Sequence, residues 1–271
     1  MGAHEPRREL TQRVRRPVTE GGEAPPRSDW HGRRHGRTLS RARRSALAEL
    51  LPERRLWLPA AGRRLDPLAL FRSPISRVWL EVGCGAGEPL VGQALAHPDV
   101  GCIGCEPYIP GVASLLMRTE KLGLERVRVF PDDARLLLSC LGDDSIDRVF
   151  LLFPDPWPKR RHHRRRFVRP GTVAELGRIL RPGGELLFAT DDMDYARWTL
   201  ALVTDSGALE WRARRPLDWR LPPAGWVQTR YQMKALARGA RCIYLRFQRR
   251  SSDQGPSNER KALVRGLLPV I

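Results

Sequence analysis

The chain has 271 residues, with 48 Lys and Arg against 30 Asp and Glu, a net charge of +18. A hydrophobic content of 41% is enough for a core and excludes wholesale disorder. No stretch approaches the roughly 18 apolar residues of a membrane helix, and no apolar segment of a secretory signal follows the first charges. The chain therefore reads as soluble and cytoplasmic.

In chain order, residues 1–29 are rich in Arg, Glu, Gly and Pro and read as a disordered tail. A basic, helical extension follows over 30–75. It opens with the run Gly32-Arg33-Arg34-His35-Gly36-Arg37, and Ser40 then stands where it can cap a helix carrying Ala46, Leu47, Leu50 and Leu51. From Val78 onward, short apolar runs alternate with helical patterns. The runs Val78–Val82, Val100–Cys105, Val127–Phe130, Ile146–Phe153 and Leu186–Ala189 are expected strands. Helices are expected between them: from the glycine loop to His97, over Val112–Leu122, Arg135–Leu141 and Val173–Leu180, and from Asp191 to Val203. Glu210–Ala213 and Cys242–Phe247 bring the strand total to seven. The 251–271 segment reads as a second tail, so residues 30–250 form one α/β domain.

Such alternation predicts a mostly parallel sheet covered on both faces, with the ligand beyond the carboxyl ends of its strands. The residues to read are then Glu81, the glycine loop, Glu106, Asp133, Asp155 and Asp191. Five scattered cysteines, Cys84, Cys102, Cys105, Cys140 and Cys242, include one C-x-x-C inside an apolar run. Without a second pair they read as buried thiols, and no metal site is expected.

The loop Gly83-Cys84-Gly85-Ala86-Gly87 departs from the dinucleotide fingerprint, and Glu88 takes the place where that fingerprint has glycine. Glu81 and Glu88 would repel a diphosphate. A cationic nucleoside without phosphates, S-adenosylmethionine, suits the loop better, with Glu106 facing ribose hydroxyls and Asp133 the adenine amino group.

Most informative is Phe153-Pro154-Asp155-Pro156-Trp157-Pro158, followed by a run from Lys159 to Arg166 that is wholly cationic or imidazole. Prolines on both sides stiffen the backbone around Asp155 and Trp157. A fixed carboxylate beside an aromatic ring suits the amino and imino edge of a guanine, although a stiffened loop around a half-buried Trp has the same composition. The charge run fits phosphates. Only four of the cations are lysines, so a coding bias toward Arg explains their number as well as a polyanion partner does. Their position beside the expected site is what favours RNA.

With LEVGCGAGE, GCEPY, PDDA, FATD and TRYQMKA, the PDPWPKRRHHRRR segment resembles the bacterial tRNA (guanine-N7-)-methyltransferase family, from about Gly32 to Gln248. The resemblance implies a Rossmann-like class I methyltransferase that methylates N7 of a guanosine in the tRNA variable loop. It implies that Glu81, Glu106, Asp133 and Asp155, with Gly83, Gly85 and Gly87 of the loop, hold the methyl donor, and that Asp155 is catalytic. Lys159, Asp191 and the segment Thr229, Arg230, Tyr231 and Gln232 would bind the target nucleoside. Arg161, His162, His163, Arg164, Arg165 and Arg166 would contact RNA. Where this family has Glu, the chain carries Gln232, which keeps the carbonyl and loses the charge. Two other readings stay open: an RNA-binding protein that retains the fold without the chemistry, and a methyltransferase with another anionic substrate. Monomer and homodimer are both compatible with the sequence.

Overall fold

The computed structural model describes residues 30–251. The expected tails over 1–29 and 251–271 lie outside the described residues, apart from Ser251. Ser40 does cap the first helix, α1 (Arg41–Glu49), its hydroxyl accepting from the Arg43 N–H at 3.4 Å. With α2 (Leu51–Arg54) it buries Ala46, Leu47 and Leu51 in one of the two cores. The chain then runs along a sheet edge, where the Leu56 N–H donates to the Val129 carbonyl at 2.8 Å.

The repeating part comprises β1 (Arg77–Val82), α3 (Glu88–Ala96), β2 (Val100–Cys105), α4 (Ile109–Lys121), β3 (Val127–Phe130), α5 (Ala134–Leu138) and β4 (Ile146–Leu152). It continues with α6 (Pro170–Ile179), β5 (Leu180–Thr190), α7 (Met193–Asp205), β6 (Leu209–Trp211), α8 (Leu217–Arg220), α9 (Arg230–Ala237) and β7 (Ile243–Arg249). Seven strands form one sheet in the order β3-β2-β1-β4-β5-β7-β6, with β7 antiparallel to both its neighbours. The order reverses between β1 and β4, which places the crevice there.

Both faces are covered, and the two-residue period of each strand sorts its side chains between them. Val78, Leu80 and Val82 of β1 join one core and Trp79 the other; Ile243, Leu245 and Phe247 of β7 divide from Tyr244 in the same way. Leu80 is fully buried. Burying a side chain of this size contributes about 1.5–3 kcal/mol, and truncation to Ala would cost about 2–5 kcal/mol with its cavity.

Several boundaries differ from expectation. The helices α4 and α6 start three residues early because Pro110 and Pro170 occupy the first turn, where a missing N–H is harmless. Arg181-Pro182-Gly183-Gly184 reads as a helix stop but lies inside β5. Leu180 pairs with Ile146 before a register shift, and Gly183 takes a φ of +79° that a side chain would resist. Cys84, Cys102, Cys105 and Cys242 are buried and Cys140 partly so. Among the described residues, no helix is long and apolar enough to cross a membrane.

Candidate active site

At the carboxyl ends of β1 to β4 lies a cavity of about 660 Å³. Its floor begins where β1 ends. The N–H groups of Gly83 and Cys84 donate to the Cys105 carbonyl at 2.8 and 3.1 Å, which folds the loop back over β2. Gly83, Gly85 and Gly87 have φ of +73°, +57° and +77°. A Cβ at Gly83 or Gly85 would meet no atom within 4 Å, so the loop presents bare backbone to open space. A Cβ at Gly111 would strike the Gly85 carbonyl at 2.8 Å, so α4 approaches this loop as closely as backbone allows.

Glu106, directly after β2, accepts from the Gly85 N–H at 2.6 Å and from the Tyr108 N–H at 2.8 Å. Each oxygen keeps a lone pair for a ligand hydroxyl. Burial pushes its carboxyl up to about 7, against the pull of those two N–H groups and with a further push from Asp155. Glu81 behaves differently from expectation. It is buried beneath the loop and does not line the cavity, and burial raises its carboxyl well above the usual range, helped by Glu88 and Glu106. It supports the floor from below.

Asp133 lines the cavity and also caps α5, accepting from the Arg135 N–H and from its guanidinium, both at 3.1 Å. Its neighbour Asp132 holds Arg34. The Arg34 carbonyl accepts from the Ile109 N–H at 2.9 Å, so the extension is tied down at both the side chain and the backbone. Consequently Trp30, His31, Gly32 and Arg33, with Arg43 from α1, form one wall of the cavity.

The opposite wall is the segment after β4. Phe153 and Trp157, the residues bracketing Pro154-Asp155-Pro156, have φ of +50° and +47°. Non-glycine residues held there cost about 1–3 kcal/mol each and persist only where the surroundings enforce them. Asp155 opens into the cavity, with no hydrogen-bond or ion-pair partner among the described residues, and the surrounding protein raises its carboxyl. The Trp157 ring meets His31 and His162 edge-on at 6.4 and 6.0 Å, and the Arg165 guanidinium lies over it at 4.9 Å.

The cationic run divides. Lys159, Arg160, Arg161 and Arg164 are exposed around a short 3-10 helix over Arg160–Arg165, and Arg165 reaches the cavity. Loss of hydration and the surrounding cations Arg165, Arg161, Lys159 and Arg164 lower the His162 imidazole, favouring its neutral form. His163 packs against Trp198 at 5.6 Å, near Asp194. Arg166, expected on RNA, is fully buried: its Nε donates to the Pro156 carbonyl at 2.8 Å and its guanidinium pairs with Asp194 at 2.5 Å. It is out of reach of any phosphate.

Other expected substrate residues are also placed apart. Thr229 caps α9 by accepting from the Gln232 N–H at 2.9 Å, and both are buried. Gln232 accepts from the Trp226 indole at 2.7 Å and donates to the Tyr244 hydroxyl at 2.8 Å, using both ends of its amide. Only Arg230 and Tyr231 of that segment line the cavity. Asp191 pairs with Arg238, and neither Asp191 nor Lys159 lines the cavity. Sequence reasoning missed Trp30, Arg43, Tyr108, Ser114 and Phe167 of the wall. Except for Tyr108, which the GCEPY match includes, none belongs to a motif with a chemical meaning of its own.

A glycine loop after the first strand, acids after the second, third and fourth, and an antiparallel seventh strand define a Rossmann-like class I methyltransferase. The family model described as "Putative methyltransferase" matches residues 76–243. The tRNA (guanine-N(7)-)-methyltransferase of Rhodospirillum rubrum is 47% identical over 231 residues, covering 84% of this chain and 90% of its own. That of Ruegeria pomeroyi is 48% identical over 229 residues, covering 83% and 95%. Among solved structures, the 16S rRNA methyltransferase KamB aligns at a TM-score of 0.49 with 14% identity, over 70% of this chain and 99% of that one. The chain belongs to the tRNA (guanine-N(7)-)-methyltransferase family.

Proposed function

We propose that this protein transfers a methyl group from S-adenosylmethionine to N7 of guanine in tRNA, at the guanosine of the variable loop. The observation that carries the reading is Asp155, an acid without a partner among the described residues, fixed between two strained residues and facing the cavity. It faces the same cavity as the loop glycines and Glu106.

The fit to the methyl donor rests on the open space above Gly83 and Gly85 and on the free lone pairs of Glu106. When bound, S-adenosylmethionine supplies a methyl group already activated on a sulfonium. Glu106 accepts from ribose hydroxyls, and Asp133 offers an acceptor to the adenine. Guanine N7 carries a lone pair and no proton, so the protein need not supply a base for it. Alignment is the main task, and holding two reactants in line is worth many powers of ten in effective concentration.

Methylation leaves the purine cationic. Asp155, desolvated by the surrounding protein, stabilises that charge as it develops. Trp157, already stacked under Arg165, offers its ring to the base. Arg161 and Arg164 on the rim hold phosphates, while Arg33, Arg43 and Arg230 add cationic charge inside the walls. A loop nucleotide meets this geometry, because duplex RNA hides N7 in a deep, narrow groove. Such a substrate assigns the work to the cytoplasm.

Incubation with tritiated S-adenosylmethionine and unmodified tRNA, followed by digestion to nucleosides, tests the reading. Label should appear in 7-methylguanosine. Label in another nucleoside, or tRNA binding without label, would refute it.

A further inference from the structure

Arg166 ends the cationic run and is the one member of it that is wholly inside the protein. A guanidinium is rarely buried unless its surroundings use it. Here its Nε donates to the Pro156 carbonyl at 2.8 Å and its NH2 to Asp194 at 2.5 Å. It lies over the rings of Tyr195 and Trp198 at 4.9 and 5.2 Å. Those rings are fixed in turn. The Tyr195 hydroxyl accepts from the Val168 N–H at 3.2 Å, and the Trp198 indole donates to the Val168 carbonyl at 2.8 Å.

The Pro156 carbonyl belongs to the peptide that links Pro156 to the strained Trp157, one residue beyond Asp155. Neither the Phe153–Pro154 nor the Asp155–Pro156 peptide has an N–H with which to fasten the stretch elsewhere. The other end of the segment is anchored by the Phe153 N–H on the Ala189 carbonyl at 2.7 Å, so the strained stretch hangs between two hydrogen bonds. One comes from the sheet and the other from Arg166. The preceding residue, Arg165, covers the Trp157 ring, so consecutive arginines hold the backbone and the ring of one dipeptide.

We infer that Arg166 is a positioning residue for methyl transfer: through the Pro156 carbonyl it sets where the Asp155 carboxylate stands in the cavity. It touches neither RNA nor methyl donor and acts through the loop alone. The inference rests on the proposed role of Asp155. Lysine cannot reproduce the arrangement, since one ammonium lacks the planar fork that serves the carbonyl and Asp194 together.

The test compares Arg166→Lys and Arg166→Met with the unmodified protein, measuring kcat, KM for tRNA, affinity for S-adenosylhomocysteine and thermal melting. Both variants should lose about 100-fold in kcat, the penalty of roughly an ångström of misplacement. Their KM for tRNA should stay within about threefold, the pattern of a group that acts only in the transition state. If Arg166→Met fails to fold, Arg166→Lys decides, because it keeps a charge beside Asp194 and the apolar stem. Full kcat in a folded Arg166→Lys, or a raised KM for tRNA with kcat unchanged, would overturn the inference. Wild-type protein that forms no 7-methylguanosine would instead refute the proposed function and leave this test without its premise, so the two failures are told apart.

Discussion

The two ends of the sheet carry the same residue types, and they part at Asp155 and Glu106. At the amino ends of the strands, Asp99 meets Arg77 at 2.7 Å and Asp143 meets Arg178 at 2.5 Å, while Asp144 pairs with Arg249 and Asp147 with Arg181. Each acid named has its arginine. At the carboxyl ends Asp132, Asp133 and Asp191 are likewise paired, with Arg34, Arg135 and Arg238, but Asp155 has no partner among the described residues, and Glu106 is held by two backbone N–H groups. A net charge of +18 offers guanidinium groups in plenty, yet none is spent on Asp155. The difference locates chemistry better than charge does, because an acid left without a guanidinium partner at the mouth of a cavity, in a chain this rich in arginine, marks a place that a ligand completes.

The strongest way to break this comparison is Asp155→Ala. Loss of the carboxylate should lower kcat about 1000-fold, the upper range for removing one preorganised electrostatic group, with melting temperature and affinity for S-adenosylhomocysteine kept. Near-normal turnover, measured by tritium incorporation with both substrates saturating, would make Asp155 no more functional than Asp143. The rim arginines sharpen the same contrast. Arg161→Ala with Arg164→Ala should raise KM for tRNA and reduce the slope of log affinity against log salt by about 1 to 1.5, two phosphate contacts on single-stranded RNA. KM for the methyl donor should not change. Arg165 is left out because it also stacks on Trp157, and Arg166 because it is buried.

Glu106 yields a smaller effect whose sign follows from its environment. Burial holds its carboxyl up to about 7, so the acceptor form accumulates only as pH rises past that value. Affinity for S-adenosylmethionine should therefore weaken toward acid, approaching about tenfold per pH unit below the pKa. Calorimetric titration between about pH 8 and pH 6 reads the slope, and Glu106→Gln should bind weakly and without it. A slope that survives in Glu106→Gln would move the titration to Glu81 or Asp155, whose carboxyls are also raised.

The alternation of strands and helices was legible because each parallel strand is buried on both faces and reads as an apolar run. Glu106, Asp133 and Asp155 were legible because a carboxylate directly after such a run stands out. What misled was sequence adjacency. Arg166 follows a solvated run and reads as part of it, but a short 3-10 helix swings it inward toward Pro156 and Asp194. Thr229 and Gln232 read as contacts for the base, whereas the start of α9 turns both inward to a helix cap and to the Trp226–Tyr244 pair. The wall built from Trp30 to Arg33 gave no local signal, because an ion pair from Arg34 to Asp132, 98 residues further along the chain, holds it in place.

The weakest expected effect completes the comparison from its other side. Asp143→Asn removes a carboxylate that lies at a rim of the fold, its guanidinium partner Arg178 lowering its pKa below the usual carboxylate range. Arg178 would remain anchored through the carbonyls of Leu141 and Leu138, both at 2.8 Å, and through Glu175 at 2.7 Å. The arginine therefore keeps its place when one acid is neutralised, and exposed pairs of this kind contribute little to stability. Turnover, KM for tRNA and KM for the methyl donor should all equal those of the unmodified protein. A loss of kcat in Asp143→Asn would mean that paired acids at the amino end of the sheet shape the distant cavity.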